Sequence, residues 1–228
     1  MKRTLITAVA IVLAGAMIPI AVVKFKSFDR TVEVKGLCEH EVKADRVIWP
    51  LTFKTMGDDL SSVLGQAERD NAKIVEFLTK GGIPAGDITV AAPLISDKYA
   101  AEYGNNDRKF RYLLTNTVTV CSSEIDAVLA LQAGQSELIK GGIALTGDNW
   151  ESKTQFSFEA LNSIKPQMIQ EATANAREAA QKFAQDSDSK VGKIKTASQG
   201  TFSIMDRDSN TPYIKKIRVV TYVTYYII

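Results

Sequence analysis

The chain has 228 residues, 45% of them hydrophobic, and a formal net charge of +2, enough apolar content for a packed core in one domain or two small ones. Residues 1–30 hold five basic side chains and one acid, which leaves 23 basic and 25 acidic side chains in residues 31–228. A body so close to neutral lacks the clustered Lys and Arg that phosphate backbones require, which excludes nucleic acid as a partner.

The first element is a run of twenty uncharged residues from Thr4 to Val23, flanked by Lys2 and Arg3 before it and by Lys24 and Lys26 after it. Twenty helical residues reach about 30 Å, the thickness of the hydrocarbon core of a bilayer. Ala14-Gly15-Ala16 could serve as a cleavage site, but Ile18, Ile20, Val22 and Val23 extend the apolar run beyond a signal-peptide core. That length favours an uncleaved anchor. Residues 1–30 are therefore expected to be an N-terminal signal anchor, transmembrane at about 4–23, with residues 31–228 as the body on the far side. No later uncharged run approaches eighteen residues.

Residues 31–54 predict two strands: Val32 and Val34 alternate with Glu33 and Lys35, and Val47, Trp49, Leu51 and Phe53 share one face of the second. Pro50 removes a backbone donor and places that strand at an edge or a bulge. Residues 58–80 predict a helix, capped by Asp58 or Asp59 and stopped by Gly81-Gly82. Strands follow near 87–96 and 109–121, the second with Phe110, Tyr112, Leu114, Val118 and Val120 on one face. A shorter helix at 123–138 ends in Lys140-Gly141-Gly142-Ile143, an echo of Lys80-Gly81-Gly82-Ile83. Strands are expected near 142–148 and 153–160. A long helix should start at Pro166, a favoured first-turn residue, and run to about Asp186 with a stripe of Ile169, Ala172, Ala176, Ala179, Ala180 and Phe183. Strands near 191–204 and 213–227 close the chain. The order suggests an α+β fold of two similar ββαββ halves, residues 31–121 and 142–228, joined by the middle helix and preceded by one transmembrane helix.

The sequence contains no catalytic constellation. His40 is the only histidine, and among Glu39, Glu41 and Lys43 it reads as an exposed turn residue, so a multi-histidine metal site is excluded. No G-x-S-x-G nucleophile elbow is present. Cys38 and Cys121 are not in a C-x-x-C arrangement. They are either two separate small hydrophobes or, in an oxidising compartment, a pair whose ~80-residue loop would contribute about 4–5 kcal/mol in the chain-entropy model. Asp206, Asp208 and Asn210 have the opening spacing of a calcium loop, but Thr211 stands where Gly is needed and Ile217 where Glu is needed, which points to a polar hairpin turn. No cofactor motif is present.

Thr31-Val-Glu-Val-Lys-Gly36 followed by Glu41-Val-Lys-Ala-Asp45 resembles the opening signature of SIMPL-domain proteins. Glu171-Ala-Thr-Ala-Asn-Ala-Arg-Glu-Ala-Ala180, with Phe183-Ala184 and Val191-Gly192 after it, is similar to that family's alanine-spaced helix. The strand from Val219 to Tyr226 fits the family's close, and Ser198–Ile204 with Asn210–Lys216 resembles a membrane-anchored bacterial branch. Cys38 departs from the pattern, where a small or acidic residue is usual. The resemblance covers residues 30–228. It implies a periplasmic or outer-envelope protein with an α+β fold, with a link to oxidative-stress defence in some members and large ring- or channel-like oligomers in others. With the N-terminal anchor, the expected location is the bacterial inner membrane, single-pass, with the body in the periplasm. It carries no catalytic residues. The expectation is a non-catalytic envelope protein that self-assembles as a homo-oligomer and has no assigned small-molecule ligand. The alternative is a thiol-based redox or small-ligand sensor using Cys38 and Cys121.

Overall fold

The computed structural model describes residues 30–100, 109–147 and 153–228, together with Gly15. Apart from Gly15, the anchor expected at 4–23 lies outside the described residues. Among those residues no helix is long and apolar enough to cross a membrane. In chain order the elements are β1 (Thr31–Lys43), β2 (Arg46–Gly57), α1 (Leu60–Lys80), β3 (Ile88–Val90), β4 (Leu94–Asp97), β5 (Tyr112–Ser122), α2 (Ile125–Gly134), α3 (Ser136–Lys140), β6 (Gln155–Ser157), α4 (Leu161–Asp186), β7 (Val191–Gln199), β8 (Ser203–Asp206) and β9 (Ile214–Ile227).

The fold is mixed α+β with two antiparallel sheets. One sheet has the order β1-β9-β7, with β8 also on β9; the other has the order β3-β5-β2-β6, with β4 also on β5. The described chain forms two compact units. The first comprises the chain up to Glu41 with Leu161–Met205 and Lys216–Ile228; the second comprises Val42–Ala160 and Asp206–Lys215. This is not the sequential division expected at 31–121 and 142–228. β1 and β2 follow one another but belong to different sheets, because alternation identifies a strand's buried face and says nothing of its neighbour.

In the second unit, Val47, Trp49, Leu51 and Phe53 of β2 and Leu114, Val118 and Val120 of β5 form one buried surface. The β2–β5 register puts Trp49 opposite Val120 and Leu51 opposite Val118. Val63, Ala67, Ile74 and Leu78 of α1 pack on this surface. Beyond Pro50 the second side of β2 has no β6 partner, since β6 pairs only with Arg46–Ile48; proline is tolerated there for that reason. Asp59 caps α1, accepting the Ser62 N–H at 2.7 Å. The two Lys-Gly-Gly-Ile echoes fold identically. Gly82 (φ +91°) and Gly142 (φ +86°) are left-handed, and the Ile83 and Ile143 N–H groups reach back to the Leu78 and Leu138 carbonyls at 3.1 Å each. These are Schellman stops whose trailing isoleucines are buried.

Several boundaries differ from the sequence expectation. Pro93 and two alanines split the strand expected at 87–96 into β3 and β4. The helix expected at 123–138 breaks at Gln135 into α2 and α3. The strand expected at 142–148 shrinks to a bridge between Phe53 and Leu145, residues 148–152 lying outside the description. α4 starts at Leu161, five residues before Pro166, which stands inside the helix. The Asp45 carboxylate accepts the Glu159 and Ala160 N–H groups, both at 2.8 Å, just ahead of that start.

In the first unit, α4 buries Met168, Ala172, Ala176, Ala180 and Ala184, spaced by four. Phe183 is exposed instead of joining the stripe. Alanine lets the helix backbone approach the sheet: a methyl on Gly36 of β1 would lie 1.8 Å from the Ala172 carbonyl oxygen and 2.8 Å from the Ala176 Cβ. Val34, Val223 and Tyr225 complete this core.

Candidate functional site

β1 runs unbroken through His40 to Lys43, so His40 lies in a strand and not in the turn expected for it. Residues two apart on a strand share a face, and Cys38 and His40 both point to the α4 side, in line with Val34 and Gly36. The outer face of β1 is exposed, which is why Glu39 and Glu41 can flank His40 within a strand.

On α4, Gln167 and Glu171 are one turn apart and face this pair. The Cys38 thiol donates to Glu171 Oε2 at 3.3 Å, and His40 Nε2 lies 2.7 Å from the same oxygen. Gln167 Nε2 donates to Glu171 Oε1 at 2.9 Å. The Asn175 side-chain amide donates to the Leu37 carbonyl at 2.8 Å, a further tie between helix and strand. Cys38 is only 4% exposed, while the His40 and Glu171 side chains are 30% and 41% exposed. The cluster thus has a buried thiol end and a solvent-facing end.

Burial, followed by the hydrogen bond to Glu171 and the negative charges of Glu171 and Glu39, pushes the Cys38 thiol up to about 11. The Gln167 hydrogen bond, then those from His40 and Cys38, hold the Glu171 carboxyl below its ordinary value. A thiol kept protonated is a poor nucleophile, and its hydrogen goes to the carboxylate and not to the imidazole. Among the described residues, Cys38, His40 and Glu171 form a group of potential metal ligands whose donor atoms lie within 4.8 Å of one another.

Cys121 stands apart on β5, exposed, with Arg46 Nη1 3.8 Å from its sulfur. Both cysteines are free thiols. Asp206 pairs with Lys215. Asp208 accepts the Asn210 and Thr211 N–H groups at 2.8 Å each, so these residues build the hairpin turn between β8 and β9. A shallow cavity of about 450 Å³ beside Met56, Phe110 and Leu113 has one acid, Asp97, held by Arg111 at 3.0 Å.

The sheet face opposite α4 is uncovered among the described residues. On it β1 presents Glu33, Lys35, Leu37, Glu39 and Glu41, and β9 presents Lys216, Arg218, Tyr222 and Tyr226. Glu39 pairs with Lys216 at 2.7 Å and approaches Arg218 at 3.6 Å. Lys35 lies over the Tyr222 ring and Lys195 over the Tyr226 ring. Sequence reading missed the meeting of Cys38, His40 and Glu171. The C-x-H spacing on a strand was the available signal; the partner more than 130 residues away had none.

The sequence model of the SIMPL family, described as a protein of unknown function (DUF541), matches residues 32–225. The match spans most of the chain, which belongs to this family. Among curated proteins none matches the chain.

Proposed function

We propose that this SIMPL-family protein is an envelope protein that acts by self-association and not by catalysis. The N-terminal segment tethers it to the bacterial inner membrane with the body in the periplasm, and its role lies in stress defence. The location and the stress-defence role follow from the N-terminal apolar run and the family resemblance; the self-association rests on one observation, the uncovered face of the β1-β9-β7 sheet. An antiparallel sheet can leave one face to water, but this face carries Leu37 at 42% and Tyr222 at 38% exposure between charges of both signs. Acids lie mainly on β1 and bases on β9, so a second copy turned by a two-fold axis sets each strip against its opposite. The edge strand β7 is guarded by Lys193, Lys195 and register irregularities, devices that oppose pairing at that edge, and the association we propose is face to face. A membrane tether raises the local concentration of copies, so a modest interface suffices.

Light scattering on the full chain in detergent tests this. An oligomer is expected, falling to monomer in Leu37→Glu and Tyr222→Lys. A wild-type monomer, or variants of unchanged mass, would overturn it. The thiol-sensor alternative needs Cys38 to react, and the buried, protonated state of that thiol gives it no support.

A further inference from the structure

We propose that Cys38, His40 and Glu171 form a binding site for a divalent transition metal of the zinc class, with one coordination position open to solvent. This inference is independent of self-association, since the cluster lies on the α4 side of the sheet and the proposed interface lies on the other.

The donor set selects the metal. A thiolate, an imidazole and a carboxylate together suit a borderline ion such as Zn²⁺. Calcium and magnesium require six or more oxygens and are poorly served by sulfur and nitrogen. Three protein ligands and a free fourth position is the pattern of an open zinc site. Here the free position falls on the side where His40 and Glu171 are partly exposed, which is also the entry path.

The geometry is close to what the ion needs. With bonds of about 2.0–2.3 Å, tetrahedral ligand atoms stand roughly 3.4–3.6 Å apart. The Cys38 Sγ to Glu171 Oε2 separation is already 3.3 Å. The His40 Nε2 to Glu171 Oε2 contact of 2.7 Å must open by about 0.7 Å to reach that spacing, a small torsional change for two partly exposed side chains. The Cys38 thiol and His40 Nε2 now converge on one carboxylate oxygen. The cation would take their place on it, with the thiol proton released to solvent and the imidazole held as the tautomer that carries its hydrogen on Nδ1, leaving the Nε2 lone pair to the ion. The two anionic ligands would then neutralise the ion's charge.

The frame is rigid. Contact between Gly36 and the Ala172 and Ala176 backbone sets the distance from β1 to α4. The hydrogen bond from Asn175 to the Leu37 carbonyl ties strand to helix. Gln167 occupies Glu171 Oε1 and leaves Oε2 toward the cluster, so Gln167 is a positioning residue of the kind that orients metal ligands.

The test uses the full chain in detergent, treated with chelator and titrated with Zn²⁺ and Co²⁺. The expected result is one ion per chain, with cobalt giving a thiolate charge-transfer band in the near ultraviolet and tetrahedral d–d bands in the visible. Cys38→Ala should abolish the charge-transfer band. His40→Gln and Glu171→Gln should weaken zinc binding more than tenfold. Gln167→Ala should weaken it about tenfold while keeping the band, and Cys121→Ser should change nothing. Circular dichroism checks folding; should Cys38→Ala not fold, His40→Gln and Gln167→Ala decide. Absence of a charge-transfer band, or zinc bound equally by wild type, His40→Gln and Gln167→Ala, would overturn the proposal.

Discussion

Gly36 on β1 and Ala176 on α4 meet so closely that the glycine has no room for a side chain: an added methyl would stand 2.6 Å from the Ala176 nitrogen and 2.8 Å from its Cβ. Neither neighbour is a flexible tip that could swing aside. Gly36→Ala must push helix from strand, and overpacking of this kind costs about 1–3 kcal/mol or more. Denaturant unfolding should show a loss of about 3 kcal/mol, the upper part of that range, and the Cys38–Glu171 contact, two residues along the strand, should loosen with it.

Gly82 and Gly142 offer a matched pair. Each stands at positive φ in the same Schellman stop, and an alanine there costs about 1–2 kcal/mol in left-handed strain. Gly82→Ala and Gly142→Ala should lower the thermal midpoint by similar amounts.

Asp45 closes the opening sequence signature that the chain shares with the SIMPL family, and its role in the structure is local. Its backbone N–H goes to Ser157 O at 3.0 Å, and its carboxylate takes the two N–H groups ahead of α4. Asp45→Ala should cost about 1–2 kcal/mol, as for loss of a helix cap. Asp45→Asn, which keeps one acceptor oxygen, should cost less.

Glu39 titrates below its ordinary value of 4.5, chiefly through the hydrogen bond from Lys216 and then through the charges of Lys216 and Arg218. A carboxyl whose folded value is depressed contributes stability above its unfolded value and loses it as pH falls through the folded one. The Glu39 contribution is therefore present at neutral pH and fades below about pH 4.5. Glu39→Gln should lower the midpoint slightly at pH 7, and by progressively less as the pH falls below about 4.5. A loss that does not change with pH would assign the effect to packing.

Thiol labelling should separate the two cysteines. In native metal-free protein Cys121 should react with an aromatic disulfide within minutes, whereas Cys38, buried behind α4, should require denaturant. Fast reaction of both would show that β1 and α4 separate readily.

Much of the second unit could be read from local pattern. The alternation of Val47, Trp49, Leu51 and Phe53, the Asp59 cap and the paired-glycine stops all depend on neighbours within a few residues. The candidate site could not be read this way. Glu39, His40 and Glu41 resemble a polar turn because three consecutive hydrophilic residues carry no period, yet in β1 they alternate between an open face and a helix-covered one. Pro166 misled for a similar reason: it is a good first-turn residue, but Asp45 supplies hydrogen-bond acceptors ahead of an earlier start. Which strand lies beside which is a long-range choice, so the pairing of β1 with β9 had no signal in the sequence.

That pairing bears on how the protein is made. β1 ends at Lys43 and its neighbour β9 begins only at Ile214, so the strand is made long before its partner. The segment Val42–Ala160 can collapse around its own core while the rest is still being synthesised. Val34, Gly36 and Cys38 must stay uncovered until α4 and β9 arrive, a loop closure spanning the whole of the second unit's main segment. A nascent chain stalled just after residue 215 would carry the second unit complete and β1 still without its sheet partner, making β1 the segment that a chaperone would have to shield.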